Sequence, residues 1–116
     1  MANAGDSRCV ACSKGRAVAL SYDHKPEDKA ELGRIKKAGG NVIKGRVNNA
    51  LNISRSMGDL EFKRNRSLAA HEQMVTSTPD IIGCKREGLE FILIGCDGIW
   101  ERKSNEKMVE WIRSRL

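Results

Sequence analysis

Two short runs rich in small apolar residues, Arg8 to Ser13 and Arg16 to Ser21, flank Lys14-Gly15 near the start of the chain. Runs of this length around a Gly-containing dipeptide predict a β-hairpin. Pro26 then opens an acid-rich turn, Glu27 and Asp28, and Ala30, Leu32, Ile35 and Ala38 follow at helical spacing up to Gly39-Gly40. That pattern predicts a helix starting at the proline, with a thin apolar stripe that lies on a sheet face. Asn41 to Lys44 and Arg46 to Ile53 predict a strand pair around Lys44-Gly45, whereas 59–78 keeps no period and reads as a long loop or flap. After Pro79, strands are predicted at Asp80 to Lys85 and Glu90 to Cys96, with Gly88 in the turn. Ser104 or Asn105 caps a last helix carrying Met108, Val109, Trp111, Ile112 and Leu116 on one face.

The run Leu89-Glu90-Phe91-Ile92-Leu93-Ile94-Gly95-Cys96-Asp97-Gly98-Ile99-Trp100 stands apart. Its apolar residues fall on both parities, which predicts a strand buried on both faces that delivers Asp97 to its end. A carboxylate held there either meets a cation, most often a metal ion approached past Gly98, or simply opens a turn or caps a short helix. The segment alone does not choose between these.

The net charge of +6 has one local concentration, Lys63-Arg64-Asn65-Arg66. Two Trp, one Tyr and two Phe, none interleaved with that cluster, argue against a stacking platform for nucleic acid and leave a solvated basic face as the plain reading. No apolar run approaches a membrane span and Met1 is not followed by a signal-peptide pattern, so a cytoplasmic or nuclear protein is expected. Cys9-Val10-Ala11-Cys12 has zinc-motif spacing. On a strand, however, residues three apart face opposite ways, and reduced core thiols are expected for these two as for Cys84 and Cys96.

Company changes the reading of Asp97. Ala2-Asn3-Ala4-Gly5-Asp6-Ser7-Arg8, Asp23-His24-Lys25-Pro26, Ala38-Gly39-Gly40 and Arg46-Val47-Asn48-Asn49-Ala50-Leu51-Asn52-Ile53-Ser54-Arg55-Ser56-Met57-Gly58-Asp59 precede the Asp97 strand in that order. Together they resemble the C-terminal part of the catalytic domain of the metal-dependent serine/threonine protein phosphatases, the type-2C or PPM family, along nearly the whole chain. The resemblance implies an α+β fold, a partial two-sheet β-sandwich flanked by α-helices. In it, 1–116 is a fragment of one catalytic domain and 59–78 a flap. The family's Arg-x-x-Met-Glu-Asp-like and Asp-Gly-His-Gly-Gly-like stretches and its late Asp-Asn pair have no counterpart here.

The implied chemistry is attack of a metal-activated water on a phosphoserine or phosphothreonine ester, with two or more Mg2+ or Mn2+ ions in a complete site. Asp97, followed by Gly98, matches an acid of the binuclear centre, and Asp6 matches an acid of a further, weaker position. Glu101 stands where the family motif ends in Asp, so its carboxylate is displaced by a methylene. Arg46, Lys63 and Arg64 are the substrate or flap candidates, and no catalytic acid or base is assigned. Ion pairs that fix loops are the first expectation for Arg8, Arg46, Arg55 and Asp59, a structural hydrogen bond for His24, and a core position for Met57. Asn49 and Ala50 replace the family's Gly-containing turn, which Asn can keep by adopting positive φ. With so few ligands the chain alone is expected to be inactive and to bind metal weakly. Its partners are the parent enzyme's phosphoprotein substrate and, through uncovered sheet faces, a second copy. A non-catalytic regulatory module and, on charge alone, a nucleic-acid-binding module are the competing readings.

Overall fold

Lys14 and Gly15 adopt φ of 49° and 75°, the left-handed pair that a two-residue hairpin turn needs. The computed structural model describes residues 1–116. In chain order its elements are β1 (Ala2–Asn3), β2 (Arg8–Ser13), β3 (Arg16–Ala19), α1 (Lys29–Lys37), β4 (Val42–Ile43), β5 (Arg46–Val47), β6 (Asp80–Ile81), β7 (Leu89–Gly95), α2 (Asp97–Trp100) and α3 (Asn105–Arg113). The fold is α+β with small, open sheets, one of three strands and two of two strands. No helix is long and apolar enough to cross a membrane. The chain divides into two compact units, Met1–Asn3 with Ser7–Asp23 and Ile81–Leu116, and Ala4–Asp6 with His24–Asp80.

In the first unit the predicted hairpin forms, and β2 is the centre of an antiparallel sheet ordered β3-β2-β7. Val10 and Cys12 point to one face and pack with Trp100 and Val109, joined by Phe91, Leu93 and Met108. Cys9 and Ala11 point to the other, with Leu20 and Leu89. The two thiols of the Cys-x-x-Cys spacing thus lie on opposite faces of one strand, and the four cysteines are free. Ser104 caps α3, its hydroxyl accepting from the Lys107 amide at 3.3 Å, and Val109 is the side chain the helix buries completely. Burying a side chain of that size stabilises by roughly 1.5–3 kcal/mol.

Four expectations for this unit need correction. β7 is not buried on both faces: Ile92 and Ile94 are 54% and 64% exposed, because α2 and α3 cover only the side that carries Phe91 and Leu93. The strand expected at Asp80 to Lys85 is only two residues long, and β7 pairs with β2 instead. Gly83 and the exposed Lys85, Arg86 and Glu87 offer no apolar face to a sheet. Cys84 and Cys96 are exposed rather than packed. Trp111 and Leu116 lie off the face of α3 that presents Met108, Val109 and Ile112, and both are exposed.

In the second unit α1 begins at Lys29, three residues after Pro26. Asp28 has extended ψ of 137°, and its carboxylate accepts from the Lys25 amide at 2.9 Å, so Pro26-Glu27-Asp28 is a side-chain-closed turn ahead of the helix. The helix packs on no broad sheet. Ile35 meets Val47 and Val75, with Val42, Leu51, Phe62 and Met74 around them. β5 stops at Val47 rather than running to Ile53, since Asn48 and Asn49 take φ of 49° and 59° and turn the chain, which brings Leu51 back opposite Val47. The Asn residues therefore do keep the turn open to positive φ. Met57 is 81% exposed, not core. Within 59–78 the chain forms 3-10 turns at Leu60–Lys63 and Ala70–Glu72. Gln73 ties the segment together: its amide nitrogen donates to the Asn65 and Leu68 carbonyls at 2.7 and 2.9 Å, and its amide oxygen accepts from the Asn65 amide at 3.1 Å.

Candidate functional site

The first unit holds Asp97, Gly98 and Glu101. Antiparallel pairing of β7 with β2 places Gly95 opposite Arg8. A Cβ at Gly95 would stand 2.6 Å from the Ile99 Cδ1, so glycine lets α2 fold back tightly on the strand end. The Trp100 indole locks that turn by donating to the Gly95 carbonyl at 2.7 Å. Asp97 is consequently the first residue of a short helix, half-buried, with Cys96 before it in extended conformation. Its carboxylate makes neither a hydrogen bond nor an ion pair within the chain, and its backbone carbonyl accepts from the Glu101 amide at 2.8 Å. Gly98 is exposed, and a Cβ there would meet only the Cys96 sulfur at an ordinary 3.8 Å. Nothing in this chain demands glycine at 98 sterically. Glu101 is exposed.

Arg8 supports this strand-to-helix turn. Its guanidinium grips both Asp23 oxygens at 2.8 and 2.9 Å, donates to the Asn105 side chain at 2.8 Å, and lies 5.3 Å from the Trp100 ring centre. A fork-shaped donor that is always charged can satisfy a carboxylate, an amide and an aromatic face at once, which lysine could not. The sequence pointed to Arg8 as an ion-pair residue. It did not reveal the partners Asp23 and Asn105, which lie 15 and 97 residues away.

The second unit holds Asp6, Arg46, Lys63 and Arg64. Asp6 accepts from the Lys25 ammonium at 2.7 Å, so the acid of Gly5-Asp6-Ser7 is already neutralised by the lysine of Asp-His-Lys-Pro. His24 is buried, its Nδ1 3.0 Å from the Gly5 carbonyl and its Nε2 3.0 Å from an Asp80 oxygen, the structural role expected of it. Hydrogen bonds from His24 and then Arg55 hold the Asp80 carboxyl below its ordinary value. Arg46 is exposed and donates to the Ala50 carbonyl at 2.7 Å, bracing the Asn turn. Lys63 donates to the Ser56 carbonyl at 2.7 Å, and Arg64 is exposed. Asp59, with φ of 48°, accepts from the Ser56 hydroxyl instead of forming an ion pair.

The strongest electrostatic feature of this unit is one that sequence reasoning missed. Glu31 is 2% exposed and accepts from Arg55, Arg34 and Ser54 at 2.6, 2.7 and 2.8 Å. Burial pushes its carboxyl up, but the hydrogen bonds from Arg55, Ser54 and Arg34 outweigh it and bring it down to about 2. Arg55 also donates to Asp80 at 2.8 Å, so the expected ion pair of Arg55 exists with two acids. A Glu three residues before an Arg on a helix was the available signal.

No group of three or more His, Cys, Asp or Glu side chains converges to hold a metal ion. Hard divalent cations need several oxygens each. Asp97 offers one unpaired carboxylate and Asp6 is held by Lys25, so the donor set of these residues does not by itself fit a magnesium or manganese centre.

The family model described as "Protein phosphatase 2C" matches residues 1–116. "Protein phosphatase 1G" of Homo sapiens is 51% identical over 118 aligned residues, covering 100% of this chain and 22% of that protein. "Probable protein phosphatase 2C 58" of Oryza sativa subsp. japonica is 47% identical, covering 100% of this chain and 32% of that protein. The crystal structure of a phosphatase from Toxoplasma gondii superposes with a TM-score of 0.86 at 32% identity, over 98% of this chain and 36% of that one. The chain thus spans between about a fifth and just over a third of the length of these relatives.

Proposed function

The chain belongs to the protein phosphatase 2C family, and we propose from that premise that it is part of the catalytic domain of a metal-dependent serine/threonine phosphatase. The substrate of that enzyme is a phosphoserine or phosphothreonine protein in the cytoplasm or nucleus. The observation that carries this reading is the Asp97 carboxylate, left without a partner at the end of β7 while the half-buried Asp6 and Asp23 and the buried Glu31 are ion-paired. An unpaired acid held at the edge of a packed core is costly unless a cation meets it.

In this reading Asp97 contributes one ligand to a magnesium or manganese site, where the ion, when bound, lowers the pKa of a water toward neutrality. The remaining ligands come from other parts of a longer protein. What these residues do is hold that carboxylate. The register of β7 on β2 sets its height, the Gly95–Trp100 bond sets the helix start, and the Arg8–Asp23–Asn105 clamp braces Trp100 from behind. Gly98 and Glu101 follow Asp97 on α2 and at its end, and Asp6 belongs to a further, weaker position. Arg46, Lys63 and Arg64, on the second unit with 59–78 as a flap, meet the acidic surface of the phosphoprotein.

The test is an assay of the 116-residue chain against a small aryl phosphate and a phosphothreonine peptide in millimolar manganese. Turnover at background is expected, with manganese binding weaker than micromolar by calorimetry and weakened further by Asp97→Asn. Activity that survives repurification and disappears with Asp97→Asn would overturn the view that the ligand set is incomplete. Manganese binding indifferent to that substitution would remove Asp97 from the site.

A further inference from the structure

The outward face of α3 has no role in the reading above. Lys107, Trp111 and Arg115 recur every four residues along α3 and just past its end, the spacing that stacks side chains on one side of a helix, and Lys103 precedes the Ser104 cap. With Glu110 and Ser114 they line an open groove of about 430 Å³. Met108 and Val109 pack into the core beside the sheet, so Trp111, 47% exposed, is not needed for it. None of the three cations has a carboxylate partner, in contrast to Arg113 on the same helix, which pairs with Glu90 at 2.8 Å.

Arg115 is already in place. Its guanidinium carbon lies 4.2 Å from the Trp111 ring centre, and its Nη1 donates to the Trp111 carbonyl at 2.9 Å and to the Ser114 hydroxyl at 3.0 Å. A cation stacked on an aromatic and tied to backbone loses little freedom when a ligand arrives. Lys107 adds a charge one helical turn from the indole, and Lys103 adds another from the segment before the Ser104 cap.

We propose that this groove docks an acidic segment of another protein, with carboxylates meeting Lys103, Lys107 and Arg115 and an apolar side chain against the open part of Trp111. Charge complementarity selects the acid. The single aromatic anchor in a ring of cations is the composition that concentrates binding energy at protein interfaces. Nucleic acid fits less well, because Arg115 occupies one face of the indole and denies it to a base. A membrane surface fits less well because Trp111 is the one large apolar side chain of the groove.

The experiment titrates the chain with a 12-residue peptide of alternating Glu and Leu, following Trp emission at low salt. Parallel arms use the same peptide with Gln for Glu, a single-stranded oligonucleotide and phosphatidylserine vesicles. The Glu peptide is expected to bind, to lose at least tenfold in affinity with Lys103→Glu and Lys107→Glu together, and to lose comparably with Trp111→Ala. The Gln peptide should bind at least tenfold more weakly. Circular dichroism of each variant checks that α3 is intact. No binding of the Glu peptide, binding unaffected by the charge reversals, or tighter binding of the oligonucleotide or the vesicles would each overturn the proposal.

Discussion

Replacing Glu31 by Gln removes the charge around which the second unit is organised. The carboxylate is 2% exposed and accepts from Arg55 Nη2, Arg34 Nη1 and Ser54 Oγ at 2.6, 2.7 and 2.8 Å. Its carboxyl titrates at about 2 in the fold against an ordinary 4.5. A gap of about 2.5 units at about 1.36 kcal/mol per unit corresponds to roughly 3 kcal/mol. Because the folded value lies below the unfolded one, folding favours the ionised form. The stabilisation is therefore complete above about pH 4.5 and is lost as pH falls through that value toward 2. Glu31→Gln should cost about 3 kcal/mol at neutral pH, since two half-buried guanidinium groups lose their counter-charge, a large share of a typical 5–15 kcal/mol total. Urea unfolding followed by circular dichroism at pH 7, 5 and 3 reads both effects. The unsubstituted chain should lose stability between the lower two values, and the variant should lose correspondingly less there. Equal stability of the two proteins at pH 7, or equal losses on acidification, would refute the reasoning.

Gly95→Ala should destabilise by about 1 kcal/mol and alter Trp100 emission, since the new methyl meets Ile99 where the helix folds back on the strand, although the isoleucine terminus can give way. Unchanged urea midpoint and emission would mean that the turn is looser than the Trp100–Gly95 bond implies. Asn49→Gly should be neutral or slightly stabilising while Asn49→Ala costs about 1 kcal/mol, because φ is 59° there, where Gly has no Cβ to clash and Asn offsets its own through a local polar contact that Ala lacks; the order of the two melting temperatures decides it. Light scattering at micromolar concentration should show a dimer or larger species, because Ile92 and Ile94 lie open on an edge strand, and Ile94→Lys should reduce it to monomer. A monodisperse monomer before substitution would sink that expectation.

Local signals carried a great deal of this protein. Lys14-Gly15 determined a hairpin because left-handed φ is a property of two residues, and Ser104 determined a helix start because the cap bond spans only three. The odd spacing of Cys9 and Cys12 by itself puts the thiols on opposite faces of one strand. The family itself was legible, since its motifs are runs of neighbouring residues in fixed order. Where the chain had to choose among distant partners, the sequence was silent. The apolar run ending at Asp97 was equally compatible with one or two covered faces, and only the seating of α2 and α3 on the Phe91 and Leu93 side left Ile92 and Ile94 bare. Trp111 shares helical phase with its apolar neighbours at the level of pattern, yet the core accepts Val109 and turns the indole outward. Glu31 reads in the sequence as one more surface acid of a charged helix. Its burial is decided by Arg55, 24 residues on, and by Ser54, because the cost of removing a charge from water is met only when several donors converge in space.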